Sequence, residues 1–251
     1  MGTKIENEIK KIIKITRKIG GWLSNQEGYF LYQLAKGLPQ KAVIVEIGSW
    51  KGKSAVWLLN GIKNDQGAVL FSVDPHFGAQ KNNRQKVDTY TEFEANILQS
   101  GLRSKVKSIL KTSKEASKEF NKNIDLLFID GSHKYETVQQ DFLAWSPKLN
   151  PGGWVVFHDA TTLPGPWKVS RNNILLTGRF GNTGMVGSMV YGQYTNPKHI
   201  GQKAKNSFQN LLTCLFISLY AKMRKIPFPR NWRNKIRKIN LKREIKRLSN
   251  V

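Results

Sequence analysis

The chain has 251 residues, 39% of them hydrophobic and 23% charged, with seven tryptophans, which suits one sizeable α/β domain with appendages and sets it apart from disordered chains. The formal charge is +24, and the single cysteine, Cys214, excludes intramolecular disulfides and cysteine-rich metal sites. The opening sequence MGTKIENEIKKIIKITRKIGG interleaves charged and apolar residues and shows no continuous apolar stretch of a secretory signal, so the expectation is a cytoplasmic protein.

In chain order, residues 1–21 read as a basic amphipathic segment. Ser24 and Glu27 then form an S-x-x-E capping box that predicts a helix to about Leu38. Five apolar runs rich in β-branched residues follow and predict strands: Ala42 to Ile47, Ala68 to Val73, Val106 to Leu110, Asp125 to Ile129 and Trp154 to His158. Helices fit between them, at Lys53 to Lys63, Thr91 to Gln99, Lys114 to Asn121 and His133 to Trp145. The last shows a core face of Tyr135, Val138, Phe142 and Trp145 at steps of three and four. MVGSMVYG predicts an antiparallel pair closing the sheet edge. Strands alternating with helices predict an α/β fold, a doubly wound, mostly parallel sheet over residues 22–200. Residues 201–251 read as a basic helical C-terminal extension, with fourteen Lys and Arg from Lys203 onward against the lone Glu244. Its uncharged apolar run from Phe208 to Tyr220 is too short to span a bilayer.

The stretch VEIGSWKGKS, Val45 to Ser54, ends like a phosphate-binding P-loop, but only three residues separate Gly48 from Gly52 where that motif needs four. Glu46 would also repel an anion there. An acid at the end of the first strand, a glycine-rich turn and a second acid, Asp74, at the end of the next strand suit a ligand with a cationic amino-acid end and a free ribose. Glu46 is expected to face the cationic end, Gly48 and Gly52 to let the backbone approach, and Asp74 to grip both ribose hydroxyls. S-adenosylmethionine has that chemistry.

The order VEIGSWKGKS, FSVDPH, then FIDGSHKYETVQQDFLAWSPKLNPGGWVVFHD resembles the class I S-adenosylmethionine-dependent methyltransferases, and within them the bacterial small-molecule and sugar O-methyltransferases. The resemblance covers roughly Trp22 to Tyr194. It implies a Rossmann-like seven-stranded sheet with helices on both faces, and a cofactor set of Glu46, Gly48, Ser49, Gly52, Ser54, Asp74, Ser113 and Asp130.

Asp130, His133, His158 and Asp159 fall at the carboxyl ends of the fourth and fifth strands, where open α/β sheets bind ligands. Two carboxylates and an imidazole could bind magnesium or manganese. In the resembled metal-dependent O-methyltransferases, Asp130 and the two positions after strand five, here His158 and Asp159, hold the metal; the first is usually acidic there, so His158 is a departure. His133 stands where catechol O-methyltransferases place a catalytic lysine, and a histidine suits general-base work near neutral pH. The plainer alternatives are that Asp130 caps a turn and His133 makes a local hydrogen bond. His76 and Asp141 read as structural.

The expected activity is therefore O-methylation of a hydroxyl on a sugar or other small metabolite, with His133 and Asp130 catalytic. A non-catalytic binding protein of the same fold is the alternative from another class. The tail allows a solvated extension, attraction to an anionic membrane surface, or nucleic acid. RNA ranks last, because DGSH stands where base-nitrogen methylation would want an Asn-Pro-Pro-Tyr loop.

Overall fold

The computed structural model describes residues 2–65, 67–79, 86–197 and 199–223. The basic sequence 224–251 and residues 80–85 of the loop FGAQKNNRQKVDTY lie outside the described residues. The chain divides into two compact units, Met1–Asn121 and Lys122–Val251.

The first unit opens with α1 (Gly2–Thr16), the basic amphipathic segment, which packs on α3 (Lys53–Ile62) with Ile12 and Thr16 buried. Its neighbour α2 (Asn25–Lys36) starts at the capping box read from the sequence. The Ser24 N–H donates to Glu27 Oε2 at 2.8 Å, and the Glu27 N–H donates to Ser24 Oγ at 3.3 Å. Helices α2 and α3 approach closely because Gly28 has no side chain: a Cβ there would stand 2.2 Å from the Trp57 indole nitrogen. Trp57 is itself buried, so a methyl at Gly28 would cost about 1–3 kcal/mol in overpacking.

Strands β1 (Val43–Ile47) and β2 (Val69–Val73) pair in parallel, Val43 opposite Val69 through Ile47 opposite Val73. A short antiparallel ribbon, β3 (Phe77–Ala79) with β4 (Lys86–Asp88), follows, and the sequence pattern gave no sign of it. After α4 (Tyr90–Gln99), β5 (Val106–Ile109) pairs in parallel with β2, and α5 (Ser113–Glu119) closes the unit. Strand order here is β5-β2-β1.

In the second unit β6 (Ile124–Ile129) and β7 (Leu149–Phe157) run parallel, joined by α6 (Tyr135–Trp145). Strand β7 begins earlier than its apolar run suggests. Pro151, Gly152 and Gly153 form a bulge between the Ile124–Leu149 and Leu126–Trp154 pairings. Helix α7 (Pro164–Ser170) continues into a π-helical turn over Arg171–Leu175. Strands β8 (Phe180–Val186) and β9 (Met189–Tyr194) are the antiparallel pair expected from MVGSMVYG, and β9 also pairs antiparallel with β7. Helix α8 (Ile200–Met223) ends the described chain. The order is β6-β7-β9-β8, so seven strands in all make a mostly parallel Rossmann-like sheet.

The core is apolar on both sheet faces, as parallel strands require. Ile44, Val45, Leu70, Leu126, Leu127, Phe128, Val155 and Val156 have no accessible surface. Among the described residues no helix is long and apolar enough to cross a membrane.

Candidate active site

In the first unit the chain leaves β1 through a loop whose backbone curls tightly: Gly48, Trp50 and Gly52 have φ of 83°, 48° and 86°. Glycine tolerates that left-handed region, whereas Trp50 is held there against its own sterics. Asp74, at the end of β2, does the holding. Its Oδ2 accepts the N–H of Ser49 at 2.8 Å and of Trp50 at 2.9 Å, and its Oδ1 accepts the N–H of His76 at 2.7 Å. Three of the roughly four lone-pair positions of the carboxylate are thereby used. The two-handed ribose grip expected from the sequence is thus reduced, in this geometry, to one acceptor position on Oδ1.

Beneath the loop, the Ser54 hydroxyl donates to Glu46 Oε1 at 2.5 Å, and Glu46 is fully buried. These two residues, both expected to touch the cofactor, bond to one another under the loop. Ser49 meets the Ser72 hydroxyl in the same layer. Ser113 is half-buried at the start of α5, just after the N-cap Thr112, whose capping box with Glu115 sets that helix end. Trp50 leans against Trp22, ring centroids 6.4 Å apart, and Trp22 is 85% exposed. His76, read as structural, is buried with Nδ1 3.0 Å from Thr89 Oγ1.

In the second unit the ends of β6 and β7 bring four titratable side chains together. His158 Nδ1 lies 3.0 Å from Asp130 Oδ1 and 3.5 Å from Asp159 Oδ2, and His133 Nε2 lies 3.2 Å from Asp159 Oδ2. His158 is nearly closed off at 4% side-chain exposure, whereas His133 is 52% exposed. Asp130, His133 and Asp159 can each offer one ligand atom, all within 4.8 Å of one another. His133 therefore joins the two aspartates on the open side, in the place the sequence reading gave to His158. The buried imidazole of His158 backs both carboxylates.

Burial pushes the Asp130 carboxyl up from its ordinary value, and the negative charge of Asp159 adds to this against the opposing pull of His158 and His133. Asp159 moves the other way. Burial alone would raise it, but the hydrogen bond and charge of His158, then Thr162 and His133, hold it below the usual carboxylate range. Two adjacent carboxyls are thus driven apart, a pattern that separates acid and base roles.

The Asp159 backbone is in the left-handed region, with φ of 54°. Thr162 Oγ1 donates to its Oδ1 at 3.0 Å, and its own N–H donates to Ser188 Oγ at 3.3 Å. These supports come from the segment before α7 and from the β8–β9 turn. Spacing could not announce Ser188; Thr162, three residues on, carried the only local signal. Gly165 packs against the His133 main chain, and Tyr135 sits under the Lys168 ammonium, 4.3 Å from its ring centre.

Residues 45–160 match a protein family described as a methyltransferase domain. The matched segment is a little under half of the chain. It contains the glycine loop, Asp74 and the whole Asp130–His133–His158–Asp159 cluster. A candidate O-methyltransferase of Mycobacteroides abscessus is 33% identical over 122 residues, 47% of this chain and 49% of its own length. The chain spans half or less of the length of the curated relatives it matches. An O-methyltransferase from Bacillus cereus, solved with SAH, superposes with a TM-score of 0.55 at 16% identity, over 74% of this chain and 90% of its own. The O-methyltransferase TomG from Streptomyces achromogenes, solved with SAM, gives 0.53 at 17%, over 74% and 89%. These likenesses show the fold: the seven-stranded sheet with its helices is arranged as in these O-methyltransferases.

Proposed function

We propose that the protein transfers a methyl group from S-adenosylmethionine to a hydroxyl of a small acceptor, a sugar or sugar-like metabolite, with His133 as general base. The observation that carries this reading is the contact between His133 Nε2 and Asp159 Oδ2, 3.2 Å, at the carboxyl edge of β6 and β7. An exposed imidazole oriented by a carboxylate is the arrangement general-base catalysis needs. The relatives named O-methyltransferases support the hydroxyl as acceptor.

When bound, S-adenosylmethionine supplies a methyl group made electrophilic by its sulfonium, so the chain's own work is to align and to deprotonate. The Gly48–Gly52 backbone cradles the cofactor, Asp74 fixes that loop and offers its remaining Oδ1 position, and Ser113 lines the adenine side. Glu46 and Ser54 support the loop from below. His133 takes the hydroxyl proton at Nε2, and Asp159, held ionised, stabilises the imidazolium that results.

The cluster also supports a metal-assisted version. Two carboxylate oxygens and an imidazole within 4.8 Å are a mixed donor set that suits manganese better than magnesium. With Asp130, His133 and Asp159 as ligands, a bound cation would lower the acceptor hydroxyl's pKa, and His133 would then hold metal rather than take the proton.

Isothermal titration with S-adenosylmethionine, S-adenosylhomocysteine and magnesium ATP tests the first step. Micromolar binding of the first two, weakened in Asp74→Ala, supports the reading; binding of ATP alone overturns it. Labelled-methyl transfer to a panel of sugars, with and without chelator, then separates the base from the metal version. No transfer to any hydroxyl acceptor, despite cofactor binding, would favour a non-catalytic binding protein.

A further inference from the structure

Helix α8 is built with its polar side inward. Asn206 donates to the Gly178 carbonyl at 3.1 Å and to Thr195 Oγ1 at 2.9 Å; Asn210 donates to the Phe180 carbonyl at 2.9 Å and accepts from Thr183 Oγ1 at 2.8 Å. Both asparagines are buried, with Cys214 and Ile217 beside them on the same side. The hydrogen bonds anchor the helix to the β8 and β9 region without using its leucines.

The opposite side carries Phe208, Leu211, Leu212, Leu215, Phe216 and Leu219, spaced at three and four residues and each between 39% and 64% exposed. Scattered exposed leucines need no explanation, but a continuous stripe along one helix face marks a docking surface. Charge identifies what docks. The helix contains no Asp or Glu, and Lys205 and Lys222 stand on the stripe's own face, three residues beyond either end. The sequence that follows, residues 224–251, adds eleven Lys and Arg against Glu244. A second copy of this chain, itself +24, would bring like charge against like. An apolar stripe flanked by lysines, on a helix that does not span a membrane, suits the boundary between anionic headgroups and acyl chains.

We infer that α8 docks the protein on an anionic lipid bilayer, its leucine and phenylalanine stripe in the acyl boundary and Lys205 and Lys222 at the lipid phosphates. This goes beyond attraction of a basic tail, because it makes the apolar stripe, rather than charge alone, the determinant of binding.

The test is flotation of the full chain with vesicles of phosphatidylcholine, with and without phosphatidylglycerol. The parent floats with the anionic vesicles, and the Leu212→Ser/Leu215→Ser double variant loses at least about tenfold in partitioning with its melting temperature unchanged. Leu215→Trp guards against a folding artefact: it raises partitioning, and the difference between its fluorescence and the parent's shifts to the blue on vesicles. A double variant that floats as well as the parent overturns the proposal, leaving the basic sequence alone to hold lipid. So does a parent that fails to float, as it would if it sedimented as a dimer through the stripe, and so does a double variant whose melting temperature falls, as it would if the chain covered its own stripe.

Discussion

Gly165 lies so close to the main chain of His133 that a Cβ at Gly165 would stand 2.1 Å from the His133 carbonyl oxygen. Backbone cannot yield as a flexible side chain can, so the Gly165→Ala variant must push the His133 loop away from α7. The expected cost is about 1–3 kcal/mol of stability. It should appear with a fall in kcat and little change in cofactor affinity, since the strain lies within the second unit. Melting curves and steady-state kinetics on the same preparation check both, and a variant with parental kcat would show that α7 does not set the position of His133.

Asp74 offers a cleaner dissection of loop and ligand. In Asp74→Asn the amide keeps one acceptor oxygen and turns an NH2 group toward N–H donors, stranding part of the Ser49, Trp50 and His76 set. We expect a stability loss of about 1–3 kcal/mol together with weaker binding of S-adenosylmethionine. Unchanged melting with lost binding would assign Asp74 to the ligand alone and remove its role in shaping the loop.

In the proposed reaction the acceptor chemistry rests on a pair, His133 and Asp159, and its members should fail by different amounts. His133→Ala removes the base and is expected to lower kcat by about 10²- to 10⁴-fold. Asp159→Asn removes the orienting carboxylate and is expected to cost about 10- to 100-fold. If added manganese stimulates the parent and chelator abolishes the rate, the same two variants should also lose manganese heat in calorimetry; a chelator-insensitive rate assigns His133 to proton removal.

Alkaline pH probes the packing of α1. Tyr32 is buried, and burial together with the charge of Glu8 pushes its phenol from the usual value near 10 up to about 12. The folded state therefore keeps this proton after the unfolded chain has lost it. The stabilisation is complete below about pH 10, erodes above that and is gone beyond about pH 12. Phenolate absorbance of the parent minus that of Tyr32→Phe should give a single titration centred near the upper value. A midpoint close to 10 would mean that Glu8 and α1 do not close over Tyr32.

Much of the sheet was legible because strands buried on both faces are near-continuous apolar runs, as in LLFI and, apart from Glu46, VIVEI. The Ser24 box was legible because capping is local, contained in four residues. The same local signature, Thr112 to Glu115, opens α5. What spacing could not show was long-range. Asp74 reaches Ser49 across 25 residues of chain, and His133 displaces His158 from the open side of the cluster because one imidazole is solvent-facing and the other is shut behind β7. The inward polar side of α8 was equally hidden: an apolar helix face ordinarily reads as core, and only tertiary contacts reveal that this one turns away.

Where the other five of the seven tryptophans are replaced by phenylalanine, the Trp22–Trp50 contact gives the glycine loop an optical label of its own. Excitation absorbed by the water-exposed indole can pass to its neighbour over 6.4 Å, so the emission of the pair depends on the backbone angle at Trp50. Because that angle is fixed through Asp74, a ligand arriving on the loop would announce itself in polarised fluorescence without any added dye. The most solvated aromatic ring near the cradle thereby becomes its reporter.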